Sequence, residues 1–312
     1  MKKLAFIFPG QGAQYRGMGK EFYDLDQKAK DSFHMASDIL GMDIRNIIFD
    51  ENDDLNRTKY TQIAMVTVCK IILDKVKEFL GERVLEKNPS SVTAGLSLGE
   101  YPALINSGAL SFYDALKVVK IRGQLMDDAV EVGGGAMAAV LGLDSQIISK
   151  VLENKEDIWI GNYNCEGQYI ITGKEEALSM VSKQLMDAGA KRIIPLNVSG
   201  PFHSPLLQEA GDKLLDVLNQ ITIYNPMIPF VSSVTGHYVN SHEEIKELLA
   251  KQVCSPVLWQ QSMETMIMSG VDTFIEIGPG KTLSALGKKI NRDITVINVE
   301  NLKDLDKLTS MI

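Results

Sequence analysis

The pentapeptide GLSLG at residues 95–99 carries the strongest chemical signal in the sequence. It has the form GxSxG and stands directly between an apolar run that predicts a strand and a pattern that predicts a helix. This context is typical of a nucleophile elbow, a turn so sharp that it exposes the serine hydroxyl above the sheet. Ser97 is therefore the predicted nucleophile. The alternative is a glycine-rich turn in which Ser97 caps the helix and Glu100 closes a capping box.

A serine nucleophile needs a general base, and the sequence contains four histidines. Three stand in a helical stretch, after a turn and at a helix start: His34, His237 and His242. His203 instead stands in a loop shaped by Gly200 and Pro201, and it follows the serine in chain order as in hydrolase-like folds. Elimination favours His203 as the base, and a structural role for a lone histidine stays open.

Two further features could complete such a site. The loop PGQGAQ at residues 9–14 has glycines on both sides of Gln11, so its backbone can approach a ligand closely. It could donate a backbone N–H to an oxyanion, or it could be an ordinary tight turn. Arg122 stands in an otherwise apolar helical face. It is either a surface residue whose stem packs on the fold or a buried fork that binds a carboxylate.

Nucleotide and metal chemistry are not predicted. The segment GPGKT at residues 278–282 ends like a P-loop, but Ile275 stands where that motif requires its first glycine. The sequence contains neither an HExxH motif nor a cluster of cysteines and histidines, so we expect no metal and no cofactor. Its three cysteines are too scattered for a disulfide framework, which indicates a reducing compartment.

Composition sets wider limits on function. The 312 residues are 45% hydrophobic and 23% charged, which is ordinary globular usage. The net charge of −8 argues against general nucleic-acid binding, which needs a basic face. No apolar run approaches the ~18 residues of a membrane span, and the run at residues 4–8 is too short for a secretory signal. We expect a cytoplasmic protein that binds neither nucleic acid nor membrane.

The elements that must position these residues form an α/β pattern, and the order of strands and helices changes in the middle of the chain. The first part predicts strands at 3–8 and 91–96 and helices at 61–80, 97–105 and 111–128. Residues 129–198 then show the order strand, helix, strand, strand, helix, strand, which is the ferredoxin-like plan. The larger pattern resumes after residue 199, with helices at 205–218, 243–249, 257–269 and 281–290 and strands at 228–231 and 272–277.

Together these segments resemble the malonyl-CoA:acyl carrier protein transacylases of fatty-acid synthesis and the related acyltransferase domains of polyketide synthases. The matching segments lie in family order along nearly the whole chain: FPGQGAQ at 8–14, GLSLGEY at 95–101, RGQLM at 122–126, GAMAAV at 135–140, NYN at 162–164, PFHS at 201–204, residues 252–259, and EIGPGK at 276–281. The resemblance implies an α/β-hydrolase-like core at residues 1–128 and 199–312. A ferredoxin-like βαββαβ subdomain at residues 129–198 would be inserted into that core.

For catalysis the resemblance implies a Ser–His pair. Ser97 would be the nucleophile, and His203 would be the general base and later the acid. Gln252 matches a glutamine whose main chain helps to orient the histidine, so no acidic third member is implied.

For the substrate the resemblance implies that Arg122 binds the free carboxylate of malonate. The backbone N–H groups of Gln11 and Leu98 would form the oxyanion hole. One departure is Leu96, because the family usually has histidine there. That position is not the base, so we expect altered packing at the elbow and intact chemistry.

The implied reaction is ping-pong transfer of malonyl from coenzyme A to the phosphopantetheine thiol of acyl carrier protein, through a malonyl-serine. The expected partners are malonyl-CoA and that carrier, and the expected state is a monomer. A discrete polyketide-pathway acyltransferase and a hydrolase that strips acyl groups from carriers remain alternatives. The hydrolase would have little use for Arg122, and a non-catalytic carrier-binding module would not need the serine and base. Candidate residues for docking an acidic carrier are Lys191 and Arg192, or Lys281, Lys288, Lys289 and Arg292.

Overall fold

A computed structural model of the protein describes residues 3–86, 92–198 and 200–311. Its strands are β1 Leu4–Phe8, β2 Val92–Gly95, β3 Ala136–Leu141, β4 Ile158–Cys165, β5 Gln168–Gly173, β6 Arg192–Pro195, β7 Phe230–Val231, β8 Tyr238–Val239, β9 Thr273–Ile277 and β10 Thr295–Val299. Its α-helices are α1 Lys20–Leu25, α2 Gln27–Leu40, α3 Ile44–Phe49, α4 Thr58–Glu86, α5 Glu100–Asn106, α6 Phe112–Gly133, α7 Ser145–Leu152, α8 Glu175–Asp187, α9 Gln208–Asn219, α10 His242–Gln252, α11 Trp259–Met268 and α12 Thr282–Ile290. Ser91, where we predicted a strand to begin, and Ser199, where we predicted the core to resume, lie outside the described residues.

The larger sheet has the order β10-β9-β1-β2-β7-β8, and its strands run parallel except for β8. Every residue of β1 and β2 is buried, as expected for strands that are covered on both faces. These two strands are neighbours, and Phe8 pairs with Gly95 at their carboxyl ends. The loops at residues 9–14 and 95–99 therefore leave the sheet side by side at one edge.

Two long helices, α4 and α6, pack against each other. The predicted buried helix at residues 61–80 is confirmed within α4, whose apolar side chains, Cys69 included, lie in the main core. The predicted end of α6 at residue 128 is wrong, because Ala129 and Val130 also pack against the core and carry the helix to Gly133. Gly134 then ends the helix with a φ of 63°.

The smaller sheet is antiparallel and has the order β4-β5-β3-β6. Its elements follow one another as strand, helix, strand, strand, helix, strand from β3 to β6. Helices α7 and α8 cover the sheet through a separate apolar cluster that includes Ile148 and Leu185. Strand β4 also touches the segment before α11, because Tyr163 N donates to Val257 O at 2.8 Å.

Several short or peripheral elements were not predicted, namely β8, β10 and the 3-10 helix at Leu302–Met311. Strand β10 is an edge strand of mixed exposure, so its sequence lacks the continuous apolar run of β1 or β9. Helix α10 extends three residues beyond its predicted end and finishes at Gln252. None of the helices in the described ranges is long and apolar enough to cross a membrane.

Candidate active site

The turn at residues 95–99 is as sharp as its sequence predicts. A Cβ on Gly95 would lie 1.9 Å from the carbonyl carbon of Gly99, and a Cβ on Gly99 would lie 2.1 Å from Phe8 O. Both positions therefore exclude any side chain. Ser97, at the tip of the turn, has a φ of 52°, in the left-handed region that serine rarely adopts. Strain of this kind is common where a fold presents a reactive group.

The capping-box interpretation of Ser97 and Glu100 is wrong. No side chain caps the start of α5, and the carboxylate of Glu100 does not return to Ser97 N. It accepts a hydrogen bond from Ser233 N at 2.5 Å and another from Gln252 Nε2. Glu100 is 1% exposed, so these two donors, which are distant in sequence, replace the water that a surface carboxylate would bind.

Ser97 and His203 meet above this turn. Ser97 Oγ lies 2.8 Å from His203 Nε2, and His203 Nδ1 lies 2.8 Å from the main-chain oxygen of Gln252. A carbonyl oxygen can only accept, so Nδ1 carries the ring proton of a neutral imidazole. Nε2 is then free to accept the proton of the serine hydroxyl. The ring thus lies between Ser97 Oγ and the main-chain oxygen of Gln252.

The surroundings of His203 keep its imidazole neutral. Burial lowers the pKa of His203 to about 4, and the positive charge of Arg122 contributes to the fall. The other histidines lie away from Ser97, since His34 and His237 are exposed and His242 is hydrogen-bonded to Asn225. The structure therefore brings the histidine chosen by elimination to the serine.

Arg122 is buried, so its interpretation as a surface residue is wrong. It is 1% exposed, and its Nη2 donates to Gln252 Oε1 at 3.1 Å and to Ser97 Oγ at 3.4 Å. Its guanidinium lies 5.8 Å from the ring centroid of Tyr101, and its Nε has no hydrogen-bond partner among the described residues. Burial lowers the pKa of Arg122, but guanidinium keeps its charge in proteins. A cation with donors to spare therefore stands beside the serine, where it can bind an anionic group.

The two predicted oxyanion donors lie on adjoining segments. Leu98 directly follows Ser97 in the short 3-10 turn at the tip of the elbow. Gln11 follows Gly10, at which a Cβ would lie 2.5 Å from Leu96 O, so its loop packs directly on the elbow. Leu96 itself packs against an apolar cluster that includes Trp259 and Phe274. Gln11 is further held by its side-chain Nε2, which donates to Thr58 Oγ1 at 3.2 Å.

Three features of the site were not predicted from the sequence: the roles of Glu100, of Tyr101 and of the Gln252 side chain. The first two follow the elbow directly, and both are fully buried. Their position directly after residues 95–99 was the signal in the sequence, because the first helical turn after such an elbow must lie under the serine. Within the described ranges, no three metal-ligating side chains come close enough together to hold an ion.

Comparison with known proteins adds independent information. Residues 5–309 match the family described as the acyl transferase domain. Malonyl CoA-acyl carrier protein transacylase of Bacillus subtilis (strain 168) is 42% identical over 311 residues, which cover 98% of this chain and 96% of that one. The crystal structure of malonyl CoA-acyl carrier protein transacylase from Clostridium perfringens has a TM-score of 0.91 at 43% identity, covering 99% of this chain and 96% of the other. A structure of a type II PKS acyl-carrier protein in complex with its malonyl-transacylase has a TM-score of 0.89 at 34% identity, covering 99% of each chain.

Proposed function

Because the chain belongs to the acyl transferase family, among the malonyl CoA-acyl carrier protein transacylases, we propose that it moves malonyl groups from coenzyme A to acyl carrier protein by a ping-pong mechanism. One observation carries this proposal. Ser97 Oγ is within 2.8 Å of the base His203 Nε2 and within 3.4 Å of the cation Arg122 Nη2. A nucleophile, a base and an anion-binding group thus lie together in one buried cluster.

The first half-reaction loads the serine. His203 Nε2 takes the Ser97 proton while Oγ attacks the thioester carbon of malonyl-CoA. The backbone N–H groups of Gln11 and Leu98 stabilise the oxyanion of the tetrahedral intermediate. The carbon–sulfur bond then breaks, and the His203 imidazolium returns its proton to the departing thiolate of coenzyme A.

The second half-reaction runs the same steps towards a new thiol. His203 takes the proton of the carrier's phosphopantetheine thiol, and the thiolate attacks the carbonyl carbon of malonyl-Ser97. The bond to Oγ breaks, and His203 protonates the serine oxygen. Because His203 is neutral at the start of each half, the site can begin either half at neutral pH.

Arg122 gives this reaction its preference for malonyl. The free carboxylate of malonate must leave water to enter the pocket, and an unpaired charge there would be costly. A guanidinium offers charge-assisted hydrogen bonds that compensate for that loss. We propose that Arg122 holds the carboxylate through both halves, a role supported by its Nε, which has no partner in the part of the chain that the structure describes.

The architecture that we propose around this site is a hydrolase-like core at residues 1–128 and 199–312 with a ferredoxin-like subdomain at 129–198. The mostly parallel larger sheet supports the first part, and the antiparallel order β4-β5-β3-β6 supports the second. All residues of the proposed site belong to a single chain, so a monomer is sufficient for the reaction. The exposed cations Lys288, Lys289 and Arg292 at the end of α12 are candidates for docking an acidic carrier.

Intact-mass measurement tests the proposal. After brief exposure to malonyl-CoA without carrier, the protein should gain one malonyl group, and Ser97→Ala should gain none. Labelling that persists in Ser97→Ala would refute the assignment of the nucleophile. Adding carrier protein should then move the mass onto the carrier, whereas a hydrolase would release free malonate.

A further inference from the structure

Glu100 is a buried carboxylate that the proposed mechanism does not use. Each of its oxygens has a donor, because Oε1 accepts from Ser233 N and Oε2 accepts from Gln252 Nε2. A buried carboxylate in an active site is expensive unless such partners compensate it. It lies one hydrogen bond away from a residue that touches Ser97, His203 and Arg122.

The side chain of Gln252 connects Glu100 to Arg122. Its Nε2 donates to Glu100 and to Ser97 O at 3.1 Å, and its Oε1 accepts from Arg122 Nη2 at 3.1 Å. An ionised carboxylate only accepts hydrogen bonds and a guanidinium only donates them. Glu100 and Arg122 therefore both require the orientation in which Nε2 of the Gln252 amide faces Glu100 and Oε1 faces Arg122. With the carboxylate removed, one of these two constraints is lost.

We propose that Glu100 is a positioning residue that fixes the amide of Gln252, and through it the guanidinium of Arg122, in the orientation that selects malonyl over uncharged acyl groups. The inference rests on the proposed function, in which Arg122 binds the malonyl carboxylate. An amide turned by half a rotation would present its NH₂ to Arg122 and push the guanidinium out of place.

The charge of Glu100 has a second effect on Arg122. Burial lowers the pKa of Arg122, and the nearby Glu100 carboxylate opposes that fall. Burial likewise raises the pKa of Glu100 to about 7, while the hydrogen bonds from Ser233 and Gln252 oppose the rise. Assays at pH 8 therefore examine the ionised carboxylate.

Glu100→Gln is the direct test, because it removes the charge and keeps the shape. The new amide must keep an oxygen towards Ser233 N, so its NH₂ faces Gln252 Nε2 and forces that amide to turn. Hydrogen bonds to charged groups are strong enough that we expect the ratio of malonyl to acetyl loading on Ser97 to fall roughly 10- to 100-fold. An unchanged ratio in folded Glu100→Gln would overturn the proposal.

Glu276→Gln is the matched control. Glu276 is also a fully buried glutamate that accepts backbone hydrogen bonds, from Leu283 N at 2.9 Å and Ser284 N at 2.8 Å. It accepts these bonds in the first turn of α12, and within the described ranges its hydrogen bonds go to Leu283 and Ser284, away from the active site. This variant should lose stability and keep the loading ratio, so a ratio that falls equally in both variants would show a merely structural effect.

A double-mutant cycle tests whether Glu100 acts through the arginine. In an Arg122→Met background, adding Glu100→Gln should leave the loading ratio unchanged, and a further fall by the same factor would contradict the proposal. If Glu100→Gln does not fold, Gln252→Met decides instead. It removes the amide link and keeps the main-chain oxygen that holds His203, so the ratio must fall there too. Absence of any malonyl-serine in the wild type would instead refute the proposed function.

Discussion

Replacing Arg122 tests the origin of substrate choice most directly. Arg122→Met keeps an unbranched, flexible stem and removes the charge and the donors to Ser97 and Gln252. Removing one partner of a buried charged pair typically costs about 2–5 kcal/mol. At roughly 1.4 kcal/mol per factor of ten, malonyl loading should slow by a factor on the order of 30 to a few thousand.

Acetyl-CoA separates this effect from general damage. Its acyl group has no carboxylate, yet its loading uses the same serine, base and oxyanion donors. Arg122→Met leaves Gln252 Oε1 without its donor, which costs about 1–3 kcal/mol of folding stability and is a cost that the free and the loaded enzyme share. Acetyl loading should therefore change little or rise. The malonyl-to-acetyl loading ratio of Arg122→Lys should lie between those of the wild type and Arg122→Met, because lysine keeps the charge and lacks the forked guanidinium.

The measurement is the rate of mass gain on Ser97 with each coenzyme A ester, taken before a second turnover. We expect the malonyl-to-acetyl ratio to fall in the order wild type, Arg122→Lys, Arg122→Met. An equal ratio in all three proteins would show that Arg122 is structural and that selection of malonyl depends on other residues.

Three more predictions follow from the same geometry. His203→Ala should slow acylation by a factor on the order of 10²–10⁴ in rapid-quench assays. Alanine at His34, His237 or His242 should leave the rate nearly unchanged, and a large loss in one of these variants would refute the choice of His203 as the base. Inactivation by phenylmethanesulfonyl fluoride needs neutral His203, so the fall in its rate that is due to His203 should come only as the pH approaches the pKa of about 4, whereas a change near pH 7 would be due to Glu100. Burial is the larger cause of the low pKa of His203, and the cation Arg122 adds to it, so in Arg122→Met the acid limb should move to higher pH. An unmoved limb would show that the charge of Arg122 does not affect the pKa of His203. Gly95→Ala, whose Cβ would lie 1.9 Å from Gly99, should destabilise the protein by more than ~3 kcal/mol in thermal unfolding. Gly41→Ala, whose Cβ meets nothing within 4 Å, should cost only the ~1–2 kcal/mol of its left-handed φ, and equal losses would contradict the clash.

The parts of the site that the sequence predicted are those that depend on local chain geometry. The elbow could be predicted because residues 95–99 contain both glycines that the turn requires, between a strand and a helix. The burial of Arg122 could not, since its helix is covered by α4, which lies far away in sequence. The role of Glu100 was hidden for the same reason, because its partners Ser233 and Gln252 are 133 and 152 residues away. The end of α6 was predicted too early because the glycines at 133–135 indicated a joint, although Ala129 and Val130 before them still pack against the core.

Among the described residues no acidic side chain is hydrogen-bonded to His203, which is consistent with the positive charge beside it. The group that holds Nδ1 is the neutral main-chain oxygen of Gln252, and the cation Arg122 contacts the same residue. A carboxylate bound directly to His203 would stand close enough to compete with the malonyl carboxylate for that guanidinium. Glu100 lies instead behind the amide of Gln252, so its charge can offset the burial of Arg122 without occupying the donors needed by the substrate. The glutamine thus separates the carboxylate of Glu100 from Arg122, so that in the proposed reaction the guanidinium can bind the malonyl carboxylate.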